Sequence, residues 1–257
     1  MTNQEIYDKV IKEFCALPEV PEIMDEVITA TISVDPMDIM EVTENNERHL
    51  PSRSERRVEV NFRGTVGQAF TETPREFTGT IREVLERPFE GKGLDCVLVA
   101  MINAVMGHYD YIRGTCHCDR DGHESCGSKY RGYVQSLYEG AKIVIVGYQA
   151  FILRSLVHGK GTVWTMDRDY NNITKLRHDN VITNSGFENR EAAKKWADLF
   201  ICSGSMVCNG TLEQWIDTGV PTVFYGVTIA GVAKLLNLRR ICFAEHNIHI
   251  NSMRRGL

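Results

Sequence analysis

The sequence predicts an α/β protein, with a Rossmann-like, mainly parallel sheet unit preceded by a smaller α+β unit. Three observations lead there. In the first half, β-rich runs come before an apolar helix, the order of an α+β unit. From Lys142 onward, short apolar runs alternate with helical segments, which means parallel strands joined by right-handed crossovers. The chain has 257 residues, long enough for a large core and usually for two domains. The domains are expected at 1–130 and 131–257, joined by the polar stretch at 127–141.

The first-half elements follow from local pattern. Residues 4–16 form a helix with Ile6, Val10, Ile11 and Phe14 on one side. Ile28 to Val34 is β-rich, and Val58 to Phe62 alternates apolar with polar residues as a half-buried strand does. Gly64 to Phe70 continues it as a hairpin or second strand. Thr80 to Arg87 fits a short helix stopped by Pro88. Leu94 to Met106 fits a buried helix ended by Gly107.

In the second half, Lys142 to Gly147 is a continuous buried strand ending at glycine. A helix at Phe151–Val157 and a strand at Gly161–Met166 follow, and Asn180–Thr183 is a short third strand. Then come a helix at Arg190–Ala197, a strand at Leu199–Ser203, a helix at Leu212–Ile216 and a strand at Thr222–Tyr225. A helix at Ile229–Leu236 and a last strand at Arg240–Phe243 complete the pattern.

Bulk properties exclude some functions. A net charge of −5 without long basic runs gives no electrostatic reason to expect nucleic acid. The N-terminus reads as an amphipathic helix, not a targeting segment. The longest apolar stretch, Cys96 to Met106, is too short to span a bilayer. A cytoplasmic protein without membrane partners is expected. Its eight cysteines should then be thiols or ligands, not disulfides.

The segment Cys116 to Cys126, C-H-C-D-R-D-G-H-E-S-C, concentrates metal-capable side chains. Cys116, Cys118, His123 and Cys126 can be drawn as a four-ligand site, with Gly122 supplying a tight turn. Sulfur and imidazole suit zinc, iron or nickel. His108, Cys208 or a symmetry mate in a homodimer could complete the set. The C-x-C spacing departs from structural zinc pairs, so a polar loop with reactive thiols is the competing reading. His246 and His249 in the tail are also metal-capable.

Other candidates lie at strand ends, where open parallel sheets bind ligands. Gly147 ends the first strand without a G-x-G-x-x-G fingerprint. Asp167 follows twenty residues later, where a ribose-binding carboxylate would sit. Together they suggest S-adenosylmethionine or a nucleotide. The turn Gly204–Thr211 offers free amides and the side chains of Ser205, Asn209 and Thr211 for an anion, or merely caps a helix. Thr228 follows the next strand. Asn103 interrupts an apolar helix, and its amide needs a partner, either a ligand or loop backbone. The polar turn Thr71–Glu76 follows a strand, and Glu72 and Glu76 are polar candidates without a role.

The run Asp198 to Leu212 resembles the signature D-x-x-I-x-T/S-G-S-T-L-V-N-G-T-L of the heavy-metal chelation family DUF364. Val146-Gly147-Tyr148, the strand before Asp167, Gly64–Thr71 and the helix around Ala100–Ala104 are similar to that family too. The resemblance implies an enolase-N-like (DUF4213) domain, then a Rossmann-like domain, with a cleft between them. Gly204, Ser205, Asn209, Thr211 and Asn103 would line that cleft. It also implies binding of a heavy-metal ion or metallocofactor. Met206 and Cys208 stand where the signature has Thr and Val. The alternative is a small-molecule enzyme, an S-adenosylmethionine-dependent methyltransferase or an oxidoreductase. No catalytic residue is assigned, since no G-x-S-x-G elbow, P-loop or H-E-x-x-H motif is present.

Overall fold

The computed structural model describes residues 1–33, 41–42, 48–49, 55–117, 120–168, 181–183 and 189–243, with backbone alone at 41–42, 48–49, 120–125, 150 and 181–183. Helix α1 (Asn3–Cys15) starts at a capping box, in which the Thr2 hydroxyl and the Glu5 carboxylate accept each other's backbone amides. It buries Ile6, Val10 and Phe14, the stripe its spacing predicts. A short α2 (Val20–Ile23) follows, with proline in its first turn.

Strand β1 (Val27–Ile32) comes next, then a two-residue pair, β2 (Glu41–Val42) and β3 (Arg48–His49). The strands β4 (Arg56–Phe62), β5 (Thr65–Thr71) and β6 (Phe77–Thr80) join β1 in an antiparallel sheet of order β5-β4-β1-β6. The short β6 lacks an alternating apolar pattern, and its pairing with Val27–Ala30 makes it a strand. A second capping box, Thr80 with Glu83, opens α3 (Ile81–Leu85).

Helix α4 (Cys96–His108) has no polar face, and Cys96 through Gly107 are all buried. One side packs on β4 and β5, the other on a helix of the second half. A helix apolar all round belongs in such an interior position. Each buried Leu, Ile or Val there contributes roughly 1.5–3 kcal/mol. Gly67 of β5 lets the helix approach: a β-carbon there would lie 2.2 Å from the Ala100 carbonyl oxygen.

The stretch expected as a linker, 127–141, is instead mostly helical. Helix α5 (Arg120–Tyr138) begins inside the Cys116–Cys126 segment, so Gly122 sits in a helix and not in a tight turn. Tyr130 and Val134, one turn apart, are buried against α6 (Ala150–Val157) and its neighbours. That burial is the physical reason for the helix. The expected boundary at 130/131 falls within it.

Among the described residues, five strands form the parallel sheet. They are β7 (Lys142–Val146), β8 (Thr162–Met166), β9 (Val181–Thr183), β10 (Leu199–Ser203) and β11 (Thr222–Tyr225). Their order is β11-β10-β7-β8-β9, every pair parallel. The first strand of the unit lies between its second and fourth, which is the doubly-wound Rossmann order. Helices α7 (Arg190–Trp196), α8 (Met206–Asn209) and α9 (Ala230–Leu235) complete the unit. The helix expected at Leu212–Ile216 is one 3-10 turn, Leu212–Gln214. The strand expected at Arg240–Phe243 shrinks to a single parallel bridge from Arg240 to Phe224.

Alternation along the strands divides the core. Ile143, Ile145, Ile201 and Val223 face α5 and α6. Val144, Val146, Phe200 and Phe224 face the other way, into one continuous core with α1, α4, α9 and the antiparallel sheet. The two halves therefore share apolar interior. No helix among the described residues is long and apolar enough to cross a membrane.

Candidate functional site

The loop before α4 lies against the turn after β10. The Leu94 amide donates to the Val207 carbonyl at 2.9 Å. A β-carbon at Gly93 would lie 2.1 Å from the Cys208 carbonyl oxygen, so only glycine permits this approach. Gly210, at φ +77°, ends α8 in the left-handed conformation glycine adopts freely. Its carbonyl accepts from the Asn3 side chain at 2.9 Å, which adds α1 to the junction.

Beside this junction is a cavity of about 480 Å³. Its walls are the polar turn after β5, the loop Arg87–Asp95, and Arg168, Cys208 and Asn209. Arg168 follows β8 and Cys208 follows β10, so the cavity lies beyond the carboxyl ends of the parallel strands.

The walls are charged. Arg168 pairs with Glu72 at 3.1 Å, from one half to the other. Arg75 forms an ion pair with Asp95. Asp95 also caps α4, accepting from the amides of Val97 at 2.8 Å and Leu98 at 3.2 Å. The Arg87 guanidinium lies over the Phe77 ring, 4.2 Å from its centroid. Its Nη1 is buried and has no hydrogen-bond partner among the described residues. Burial, and then the charge of Arg75, hold Arg87 below the usual guanidinium range.

Glu55 stands at the edge of this charge network. Burial pushes its carboxyl up to about 7, Glu72 and Asp167 add to the shift, and Arg168 opposes it. Two thiols also line the cavity, Cys96 from the first half and Cys208 from the second. Burial raises both above the ordinary thiol range. The Cys96 thiol donates to the Thr73 carbonyl at 3.7 Å.

The sequence-predicted strand-end residues separate into contact and support. Asn209 lines the cavity, and its Oδ1 accepts from the amide of Thr211 at 3.1 Å and its hydroxyl at 2.6 Å. The Ser205 and Ser203 hydroxyl oxygens are 3.0 Å apart. Gly204 is packed under Ile229 and the Tyr225 carbonyl, each 2.7 Å from where a β-carbon would be. Gly147, at φ +86°, accepts from the Tyr225 hydroxyl at 2.7 Å through its carbonyl. The Asp167 carboxylate accepts from the Tyr148 amide at 2.6 Å, closing the first strand-to-helix turn.

Asn103 and Thr228 join the halves. The Asn103 NH₂ donates to the carbonyls of Gln68 at 2.9 Å and of Val227 and Thr228 at 3.1 Å. Its oxygen accepts from the Gly231 amide at 2.8 Å. The Thr228 hydroxyl accepts from the Phe70 amide at 3.0 Å. Both ends of the Asn103 amide are thus engaged by backbone, the loop-backbone alternative.

The expected metal residues are placed only in part. Cys116 is buried, and its thiol donates to the Val66 carbonyl at 3.3 Å. Cys126 is half-buried on α5 and packs against the core shared with α6. Cys118, His246 and His249 lie outside the described residues, as does the His123 side chain. No group of three or more His, Cys, Asp or Glu among the described residues is arranged to hold a metal ion.

The Thr71–Glu76 turn, with Glu72 and Arg75, is visible in the sequence. Arg87, Lys92 and Arg168 are not, because they are single charges dispersed over the chain that only folding brings to one cavity.

No protein-family model and no curated protein matches the sequence. Among solved structures, the chain is similar to a protein of unknown function from the DUF364 family of Pyrococcus horikoshii. The identity is 16% and the TM-score 0.45, over 87% of this chain and 79% of that one. It is also similar to a DUF364 protein of unknown function from Desulfitobacterium hafniense. There the identity is 9% and the TM-score 0.49, over 93% and 85% of the chains.

Proposed function

We propose that the protein binds a small organic ligand in the cleft between its antiparallel and parallel halves. The observation that carries this is the cavity of about 480 Å³ with walls from both halves, beyond the ends of β8 and β10. Its size is typical of small-molecule sites, which fall at roughly 300–1,000 Å³. Its place is where open α/β sheets bind ligands.

A metallocofactor is the second reading, favoured by the thiols of Cys96 and Cys208, which reach one cavity from opposite halves. A soft metal ion that arrives in an organic frame would find two sulfur donors there. Each buried thiol would release its proton on binding. The run Asp198–Leu212 supports placing the chain in the heavy-metal chelation family. Metal binding by Cys116, Cys118, His123 and Cys126 stands as a separate proposal. S-adenosylmethionine or a nucleotide would sit instead at the β7 and β8 ends, with Asp167.

A thermal-shift screen of metabolites, nucleotides and metal chelates tests the cleft, on wild type and Thr73→Trp. Thr73 is exposed and lines the cavity, so Thr73→Trp is chosen to narrow the cavity from a position outside the core. Ligands that stabilise wild type and not Thr73→Trp support the reading. Equal stabilisation of both proteins contradicts it. Metal content after anaerobic purification, with Cys96→Ser, Cys208→Ser and Cys116→Ser/Cys126→Ser variants, separates the two metal proposals.

A further inference from the structure

We propose that the cleft ligand carries a compact anionic group, a carboxylate or a phosphate, that docks on Arg87 together with Lys92. This rests on the cleft reading and names the chemistry of its ligand.

Two cations of the loop after α3, Lys92 and Arg87, line the cavity. Arg87 is half-buried there, against the ring of Phe77. The side chain is also held in place. Its guanidinium lies over the Phe77 ring, 4.2 Å from the centroid, a cation–π contact that restrains it. Its carbonyl accepts from the Tyr7 hydroxyl at 2.6 Å, which fixes the backbone.

The charge balance points the same way. Arg75 is close enough to oppose the charge of Arg87. Its own counter-ion, Asp95, is also committed to the start of α4. Arg168 is paired with Glu72. Arg87 and Lys92 then face the cavity with Glu90 as the lining carboxylate left to offset them. Glu83 lies within electrostatic range of Arg87 as well. A planar guanidinium fork suits a carboxylate and a phosphate equally, and an ammonium adds a point charge for either.

The test is isothermal titration of the full-length protein at low ionic strength with two probes, citrate and inorganic phosphate. Glycerol is the neutral control. Arg87→Gln and Lys92→Gln should each weaken the bound probe about tenfold or more, the size expected for a lost charge-assisted contact. Arg87→Lys should retain part of the affinity. Arg82→Gln, whose arginine pairs with Asp25 on the surface, should leave affinity unchanged. Citrate binding alone identifies a carboxylate site, and phosphate binding alone a phosphate site. Equal affinity in wild type, Arg87→Gln and Lys92→Gln overturns the proposal. So does the absence of binding by both anions. If a neutral ligand still binds wild type and not Thr73→Trp, the cleft reading survives that failure. If Thr73→Trp blocks nothing, both fall.

Discussion

The Asn103 side-chain oxygen accepts from the Gly231 amide at 2.8 Å, joining residues 128 apart in sequence. The contact pins the start of α9 to the middle of α4. Gly231 has no space for a side chain there, since a β-carbon would lie 2.5 Å from Ile102 Cγ2. The other half of the same amide holds Gln68, Val227 and Thr228. One buried amide therefore ties the antiparallel sheet, α4 and the parallel unit together below the cleft.

Asn103→Ala should leave a buried amide donor and several carbonyls short of partners, at a cost of roughly 2–4 kcal/mol. Chemical denaturation measures this. The midpoint temperature should fall by about 2–4 °C for each kcal/mol in a chain of this size. Asn103→Asp should also destabilise, because it places a carboxylate among carbonyl oxygens.

Two glycines should respond in opposite directions. Gly67→Ala drives a methyl group onto the backbone of α4, 2.2 Å from Ala100 O and Ala104 N. Since backbone must move, a loss of at least ~2 kcal/mol is expected. Gly132 lies in α5 with open space around a would-be β-carbon. Gly132→Ala should stabilise by roughly 0.5–1 kcal/mol, the helix propensity difference. Parallel urea melts compare the pair.

Glu55 should make stability fall as pH rises. Its carboxyl is about 7 in the folded protein against 4.5 for the free group. Between those values the folded state holds the proton more tightly than the unfolded chain does. Stability contributed by the protonated group is therefore full below the unfolded value and lost as pH rises toward 7, levelling above it. The shift corresponds to up to ~3 kcal/mol. Other groups titrate in this window, so the measurement is the difference between wild type and Glu55→Gln from pH 4 to 8. The variant should gain relative stability across that range.

Arg168→Ala should separate stability from binding. The Arg168–Glu72 pair is half-exposed on both sides, and such pairs are worth under ~1 kcal/mol. Denaturation should barely change. Ligand affinity should fall, because the variant removes a cation from the cavity wall.

Much of the fold was legible because burial imposes period. Ile6, Val10 and Phe14 mark α1, and the unbroken run Lys142–Val146 marks a strand covered on both faces. Helix α5 was illegible for a physical reason. Gly127 and Gly132 weaken its local signal, and Gly127 is there because a β-carbon would lie 2.6 Å from the Phe151 carbonyl of α6. The site divides similarly. Asn209 was visible in a strand-end turn, and Asn103 was visible as a buried amide needing partners. Arg87, Lys92 and Arg168 carry no spacing signal, because separate loops deliver them.

A small ligand held in the cleft should survive gentle purification and be seen by native mass spectrometry of wild type and Thr73→Trp, with released molecules identified after denaturation. A small acidic molecule is expected on wild type and not on a folded Thr73→Trp protein. The same molecule on both proteins, in the same proportion, would mean that the cleft does not hold it.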